Sequence, residues 1–342
     1  MRRRSISLLV FVAVLVLTLW LLPSVLLLIF AGVLLAVFLR GGGDLLFRRF
    51  GLSGMARSLL FALLVLLAVA GFSLLAAAPL AEQANQLWQQ VPRMAQLITN
   101  RLEAYSWGQE LLEQLQPENL ELPSGGGRTA VNALGSTFGI LGNAVLLIFL
   151  GIYFAVDPGL HRRGIEQLLA PSLRPKAHRM CQEAGETLRG WLGAQLISMT
   201  VVGVLTWLGL WALGVPLAVL LGVIAAVLTF IPTIGPVISA VPAVLLGLES
   251  GLTGALSVIA LFVVIQSIES YLVTPYVQQR SVDLPPSLTI ISMVAMGTLF
   301  GVMGLAMATP LAALALMLTR RLYVEDYLDQ EPQAEGPVIL PR

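Results

Sequence analysis

Long apolar stretches alternate with short charged ones along this chain. The apolar runs fall at about 5–22, 24–39, 58–79, 137–156, 191–214, 216–248, 252–275 and 287–319. A bilayer core is crossed by about 20 apolar helical residues. The pattern therefore predicts an all-α polytopic membrane protein with about eight membrane segments. The run 216–248 is too long for one straight span, and it contains Phe230-Ile-Pro-Thr-Ile-Gly-Pro236. Proline removes a backbone donor and clashes with the preceding turn. Glycine accepts backbone angles that other residues avoid. The helix is expected to break there, with Pro232 and Gly235 near the middle of the membrane. Broken backbone at that depth is tolerated only where it is buried in protein or lines a polar cavity. In secondary transporters such breaks mark the substrate site.

The same pattern occurs twice between Gln195 and Pro310. Gln195 precedes Pro216, a break at Gly235 and then Pro242; Gln266 precedes Pro285, a glycine-rich stretch from Gly297 to Gly304 and then Pro310. The two proline intervals are 26 and 25 residues. Two re-entrant hairpins, 216–248 and 287–319, in units of opposite orientation would produce this pattern. Two tilted, kinked spans with chance proline spacing are the alternative, and loop charge alone does not separate them.

Charge orients the spans, because arginine and lysine collect in cytoplasmic loops. Arg2, Arg3 and Arg4 precede the first run, which reads as an uncleaved span despite its likeness to a signal peptide. Arg40, Arg48, Arg49 and Arg57 face one acid, Asp44, in the loop 40–57. Residues 80–136 carry an acidic excess that suits the outer side, whereas 157–190 carry five Arg and one Lys against four acids. Arg320 and Arg321 place the C-terminus inside with the N-terminus. The expected organisation is three spans in 1–79 and an outer amphipathic helical segment in 80–136. A fourth span at 137–156 and a cytoplasmic connector at 157–190 follow. A transport unit at 191–321 and a disordered tail at 322–342 complete it. In the outer segment Ala84, Leu87, Val91, Met94, Ile98 and Leu102 repeat at helical spacing. That face would lie on the membrane or against a neighbouring subunit. Gly135, Gly139 and Gly142 would let the fourth span pack closely.

Composition agrees and excludes several classes. Hydrophobic residues make up 57% and charged ones 11%, against about 25% charged in soluble domains. The formal net charge is +1, with no basic run to hold nucleic acid. Lys176 is the only lysine, and no phosphate-cradling G-x-x-x-x-G-K-[ST] loop occurs. Cys181, His161 and His178 share a polar segment in no zinc-binding spacing. No nucleophile–base pair lies in a span. An enzyme and a bound cofactor are not expected.

Polar groups inside a membrane are costly and tend to be functional. Gln266, Ser270 and Thr274 fall on one helical face, with Glu269 beside Gln266. Glu269 could bind a cation, carry a proton or accept a solute hydroxyl; pairing with Arg189 or Arg280 is the structural alternative. Gln195 and Ser198 form a smaller polar face. Thr229, Thr233 and Ser239 flank the first break, and Thr298 and Thr309 the second. Gly235 and Gly301 would expose backbone amides to a solute. The expected pathway comprises Gln195, Thr229, Pro232, Gly235, Pro236, Gln266, Glu269, Ser270, Gly297, Gly301, Gly304 and Pro310.

The combination of Gly190-Trp-Leu-Gly-Ala-Gln195, the break 230–236 with Pro242, Gln266-x-x-Glu269, Tyr271, Pro275, Leu284-Pro285, Gly297-x-x-x-Gly301-x-x-Gly304 and Thr309-Pro310-Leu311 resembles the autoinducer-2 exporter family of bacterial inner-membrane proteins. The motifs lie in 190–311, and the N-terminal half matches in topology only. The resemblance implies a secondary transporter or permease. Some members are linked to export of the furanone signal autoinducer-2, others to exchange of sodium or lithium for protons. The expected partners are the lipid bilayer, a small polar solute, coupling protons or sodium, and further copies of the chain in a homo-oligomer. A membrane scaffold without transport is the reading from another class.

Overall fold

A computed structural model describes residues 23–102, 129–273, 275 and 284–322. Every regular element among them is helical. We number the main helices α1 (Pro23–Phe47), α2 (Gly54–Leu102), α3 (Thr129–Val156), α4 (Pro158–Leu168), α5 (Arg174–Ala212), α6 (Ala218–Leu228), α7 (Ile234–Gly247), α8 (Gly251–Ile268) and α9 (Pro286–Thr319). The first apolar run, 5–22, the tail and most of 103–136 lie outside the described residues.

Five helical runs are long and apolar enough to cross a membrane: Val25–Phe50, Gly54–Gln90, Pro171–Ala212, Ile234–Val273 and Pro286–Leu322. Eight segments are not reproduced by this measure. One reason is that 216–248 is divided into α6 and α7, of 11 and 14 residues, about 16 and 21 Å long. Neither reaches across a core of about 30 Å. The outward faces carry lipid-compatible side chains, among them Leu66, Leu67, Phe72, Leu74 and Leu75 of α2.

The long helices also cross the expected boundaries. A single helix, α2, joins the third span to the first part of the outer segment and runs through Pro79 and Pro92. Its 49 residues extend about 74 Å, far beyond one bilayer core. Its second half therefore continues the span's helix instead of starting a separate one. Gln83 and Leu87 on this extension reach α6 and the core around it: the Gln83 Oε1 accepts from the Leu220 amide in the first turn of α6 at 3.3 Å, and Leu87 packs against the cluster of Leu210, Ala218, Leu221, Ala243, Leu246 and Val258. Likewise α5 joins the connector to the fifth span in one helix of 39 residues.

Small residues set the close crossings. An added Cβ at Gly32 would meet Leu150, and one at Gly151 would meet Leu35, so α1 and α3 pack backbone to side chain. Gly142 faces open space; the close packing expected of it falls to Gly151, about two and a half turns further along. Gly203 of α5 and Gly222 of α6 each abut the other's carbonyl.

Three fold-backs shape the C-terminal half. At the first, Thr233 has φ 65° and ends the loop between α6 and α7; a Cβ on Gly235 would meet the Leu228 carbonyl. At the second, Gly251 has φ 85°, and Gly247 lies against Val258 and Ala255. Residues 247 and 258 would stand about 16 Å apart along one straight helix. The run 234–273 is therefore two helices side by side. At the third, Gly301 inside α9 has φ 61° and ψ −144°, a region open essentially to glycine alone. Gly297 abuts Leu305 and Gly304 abuts the Met296 carbonyl, eight residues away in each case. Halves 286–300 and 302–319 thus lie against each other. The core between the two halves of the molecule contains Leu27, Ala31 and Leu34 of α1, Leu188, Trp191 and Leu192 of α5, and Met307 of α9.

Candidate functional site

The breaks leave polar backbone that the helices no longer satisfy, and side chains converge on it. Gln195 of α5 is buried and donates through Nε2 to the Thr229 carbonyl at 2.6 Å, where α6 has just ended. The Thr229 hydroxyl turns back to the Ala225 carbonyl at 2.6 Å. On α7 the Ser239 hydroxyl donates to the Pro236 carbonyl at 2.9 Å. Trp191 stands edge-on to Phe230, with ring centroids 5.8 Å apart. These contacts hold the loop against α5 at a fixed distance.

A cavity of about 340 Å³ opens beside this loop, at the small end of the range for ligand pockets. Every lining residue falls between Trp191 and Thr309. The wall takes Gln195 and Ser198 from α5, Thr229, Pro232, Thr233 and Pro236 from the first break, and Gln266, Glu269 and Ser270 from α8 and its extension. Thr289 and Thr309 come from the two halves of α9.

Among the described residues, Glu269 brings the one carboxylate to this wall. Its Oε1 accepts from the Ser198 hydroxyl at 3.0 Å and its Oε2 from Gln266 Nε2 at 2.9 Å. Arg189, named by sequence as an alternative partner, instead reaches Asp44 at 3.4 Å; Arg280 lies outside the described residues, as does Thr274. From Glu269 to Val273 the helix widens to a π turn. Such turns are rare and often sit at functional sites. Here the turn carries both Glu269 and Ser270 onto the cavity wall.

Seven of the twelve residues expected on the pathway meet at this cavity: Gln195, Thr229, Pro232, Pro236, Gln266, Glu269 and Ser270. Gly235, Gly297, Gly301, Gly304 and Pro310 are not on its wall. Gly235 is a packing position, and its amide donates to the Ile231 carbonyl at 3.0 Å instead of facing a solute. Gly297 and Gly304 let the halves of α9 touch, Gly301 makes their turn, and Pro310 is fully buried beside Thr309. Ser198, expected on the smaller polar face of α5, and Thr233 and Thr309, expected to flank the breaks, also line the cavity. Trp191 and Thr289 were missed as wall residues; the signal for Thr289 was its position one turn into a helix opened by Pro285-Pro286. The Thr309 hydroxyl, on a residue that lines the cavity, is buried without a hydrogen-bond partner among the described residues. Among those residues no cluster of histidine, cysteine and carboxylates suits a metal ion.

Comparison with known proteins gives the family. A model of the AI-2E family transporters matches residues 9–323. The chain is 32% identical over 187 residues to the candidate permease PerM of Escherichia coli K12, covering 53% of each chain. It is 23% identical over 170 residues to the candidate transport protein YrrI of Bacillus subtilis strain 168, covering 50% of this chain and 48% of that one. YueF of the same organism, another candidate transport protein, is 24% identical over 186 residues, covering 53% and 50%. The chain spans about half the length of the curated relatives it matches.

Proposed function

Because this chain belongs to the AI-2E transporter family, we propose that it is a secondary transporter moving a small polar solute through the cavity beside the first break, with autoinducer-2 as the named candidate. The observation that carries this reading is the cavity itself. Two glutamines, two serines, four threonines and one carboxylate converge on about 340 Å³ of space inside a strongly apolar bundle. A polyhydroxylated solute needs such a mixture of donors and acceptors, and polar groups are kept in spans where function requires them.

The chain sits in the bacterial inner membrane as a homo-oligomer with both termini in the cytoplasm. The folded-back pairs α6–α7 and the two halves of α9 are the re-entrant hairpins of an inverted repeat. Short helices, glycine turns and the 26- and 25-residue proline intervals support this. With α5 and α8 they form a unit that moves against α1–α3 and opens the cavity alternately to either side.

Purified protein in proteoliposomes tests the reading. Uptake of a panel of small polyols and of autoinducer-2 is expected above protein-free vesicles and lost in Gln266→Ala. Uptake equal to that of empty vesicles for every solute would reject it.

A sodium or lithium/proton antiporter is the second reading. The Glu269 carboxylate, held by two donors in the cavity, favours it. A hard cation would take oxygen ligands of this kind. Cation-dependent proton flux without any organic solute is its signature.

A further inference from the structure

A second cavity, of about 740 Å³, shares no lining residue with the first and lies where α1 turns into α2 and meets α5. Arg48, Arg49, Arg57 and Arg189 line it against one carboxylate, Asp44. That carboxylate is already engaged: Arg57 approaches it at 3.0 Å and Arg189 at 3.4 Å. Behind them Arg40 lies against Gly54, where an added Cβ would meet its guanidinium. The Arg57 Nε is buried without a hydrogen-bond partner among the described residues. The positive charge of the cavity therefore exceeds what its own acid can balance.

The position along the chain adds a second constraint. The apolar run of α1 ends at Leu39 and that of α2 begins after Arg57, so the turn between them lies level with the lipid headgroups. Leu45 on its wall is 86% exposed, and Phe50 in the same turn is 70% exposed, with Leu46 and Met55 nearby in sequence also exposed. Cations inside and bare apolar side chains outside match a molecule with a phosphate head and acyl chains. Arginine suits the head, because its fork binds phosphate oxygens in pairs. Basic pockets between spans on the cytoplasmic side are a known form of anionic lipid site.

We infer that this arginine pocket binds the phosphodiester headgroup of an anionic phospholipid, with Leu45 and Phe50 against its acyl chains. Arg48 and Arg49 meet the phosphate, while the Arg57–Asp44–Arg189 set fixes the pocket's shape. The bound lipid would brace the α1–α2 turn against α5.

Native mass spectrometry of the detergent-purified full chain tests this, with phosphatidylglycerol, phosphatidylcholine, or inorganic phosphate plus glycerol phosphate added. Phosphatidylglycerol should be retained over phosphatidylcholine. The double variant Arg48→Gln/Arg49→Gln should lose that retention roughly tenfold or more, and Arg48→Lys/Arg49→Lys should keep most of it. A thermal melt of each variant without lipid checks that the fold is intact; if the glutamine variant does not fold, Arg49→Gln alone serves. Equal retention of both lipids, or of phosphatidylglycerol by a folded glutamine variant, would overturn the site. Binding of the soluble phosphates without the lipid would overturn its assignment to a membrane ligand.

Discussion

The Ser198 hydroxyl of α5 donates to the Glu269 carboxylate at the end of α8, 3.0 Å away and 71 residues later in the chain. Gln266 donates to the other oxygen of the same carboxylate. An acid inside an apolar bundle thus has a defined orientation, aimed along a cavity that also collects Gln195, Thr229 and Ser270. This geometry makes the role of Glu269 testable by changes that leave its size alone.

In Glu269→Gln the Ser198 hydroxyl can still donate to the amide oxygen, and Gln266 can turn its own amide to accept. The change should therefore lower stability by less than about 1.5 kcal/mol. If Glu269 carries a proton or cation, the pH dependence of flux should flatten in this variant. An unchanged pH profile in proteoliposomes would remove Glu269 from ion coupling.

Gln195→Ala removes the donor that satisfies the Thr229 carbonyl at the first break. That carbonyl is buried, so the loss should cost about 1–3 kcal/mol and lower Tm in detergent. Flux should fall with it, because the loop 229–233 shapes the cavity wall. A Tm equal to that of the parent protein would show that the break is held by other contacts.

Gly235→Leu should fail for a reason different from blocking the cavity. Its first side-chain carbon already meets the Leu228 carbonyl, so the two arms α6 and α7 must part. Gly235→Ala should therefore impair flux nearly as strongly as Gly235→Leu. Full activity of the alanine variant would exclude tight packing here. Gly301→Ala tests the second turn, where nothing crowds the added carbon but φ is 61°. Strain of about 1–3 kcal/mol should appear as a lower Tm.

Cys181 lies in the polar half of α5, ahead of the apolar stretch. Burial pushes its thiol pKa up, and the nearby Glu166 carboxylate pushes the same way against a smaller pull from Arg162. The thiolate is scarce near neutral pH, so maleimide should react more slowly than with a free thiol. Glu166→Gln removes the anion, lowers the pKa and should speed labelling at a fixed pH. Slower or equal labelling would contradict this.

Orientation can be read with an added cysteine. In a Cys181→Ser background, Glu110→Cys should react with an impermeant maleimide applied to the outside of intact cells. Labelling only after the cytoplasmic side is opened would invert the proposed topology.

Hydropathy alone determined that this chain is a helical membrane protein, because a span of about 20 apolar residues has no other stable use in water. Proline and glycine at 232–236 likewise announced a break in α6–α7, since both act through the local backbone. The polar residues Gln195, Gln266 and Glu269 were legible because apolar neighbours make them conspicuous. Other features depended on contacts that no local pattern encodes. Continuity of α2 through Pro79 and Pro92 was hidden, because proline ordinarily reads as a stop. The glycines of the second break look like ligand sites in sequence, yet Gly297 and Gly304 serve the contact between the halves of α9. Whether a missing side chain exposes an amide or admits a neighbour depends on what lies opposite. Only the tertiary structure decided that Ser198 meets Glu269, that Trp191 and Thr289 join the wall, and that Arg189 turns away to Asp44. Each of these unites helices far apart in the chain, and a residue's own spacing carries no information about its partner across the bundle.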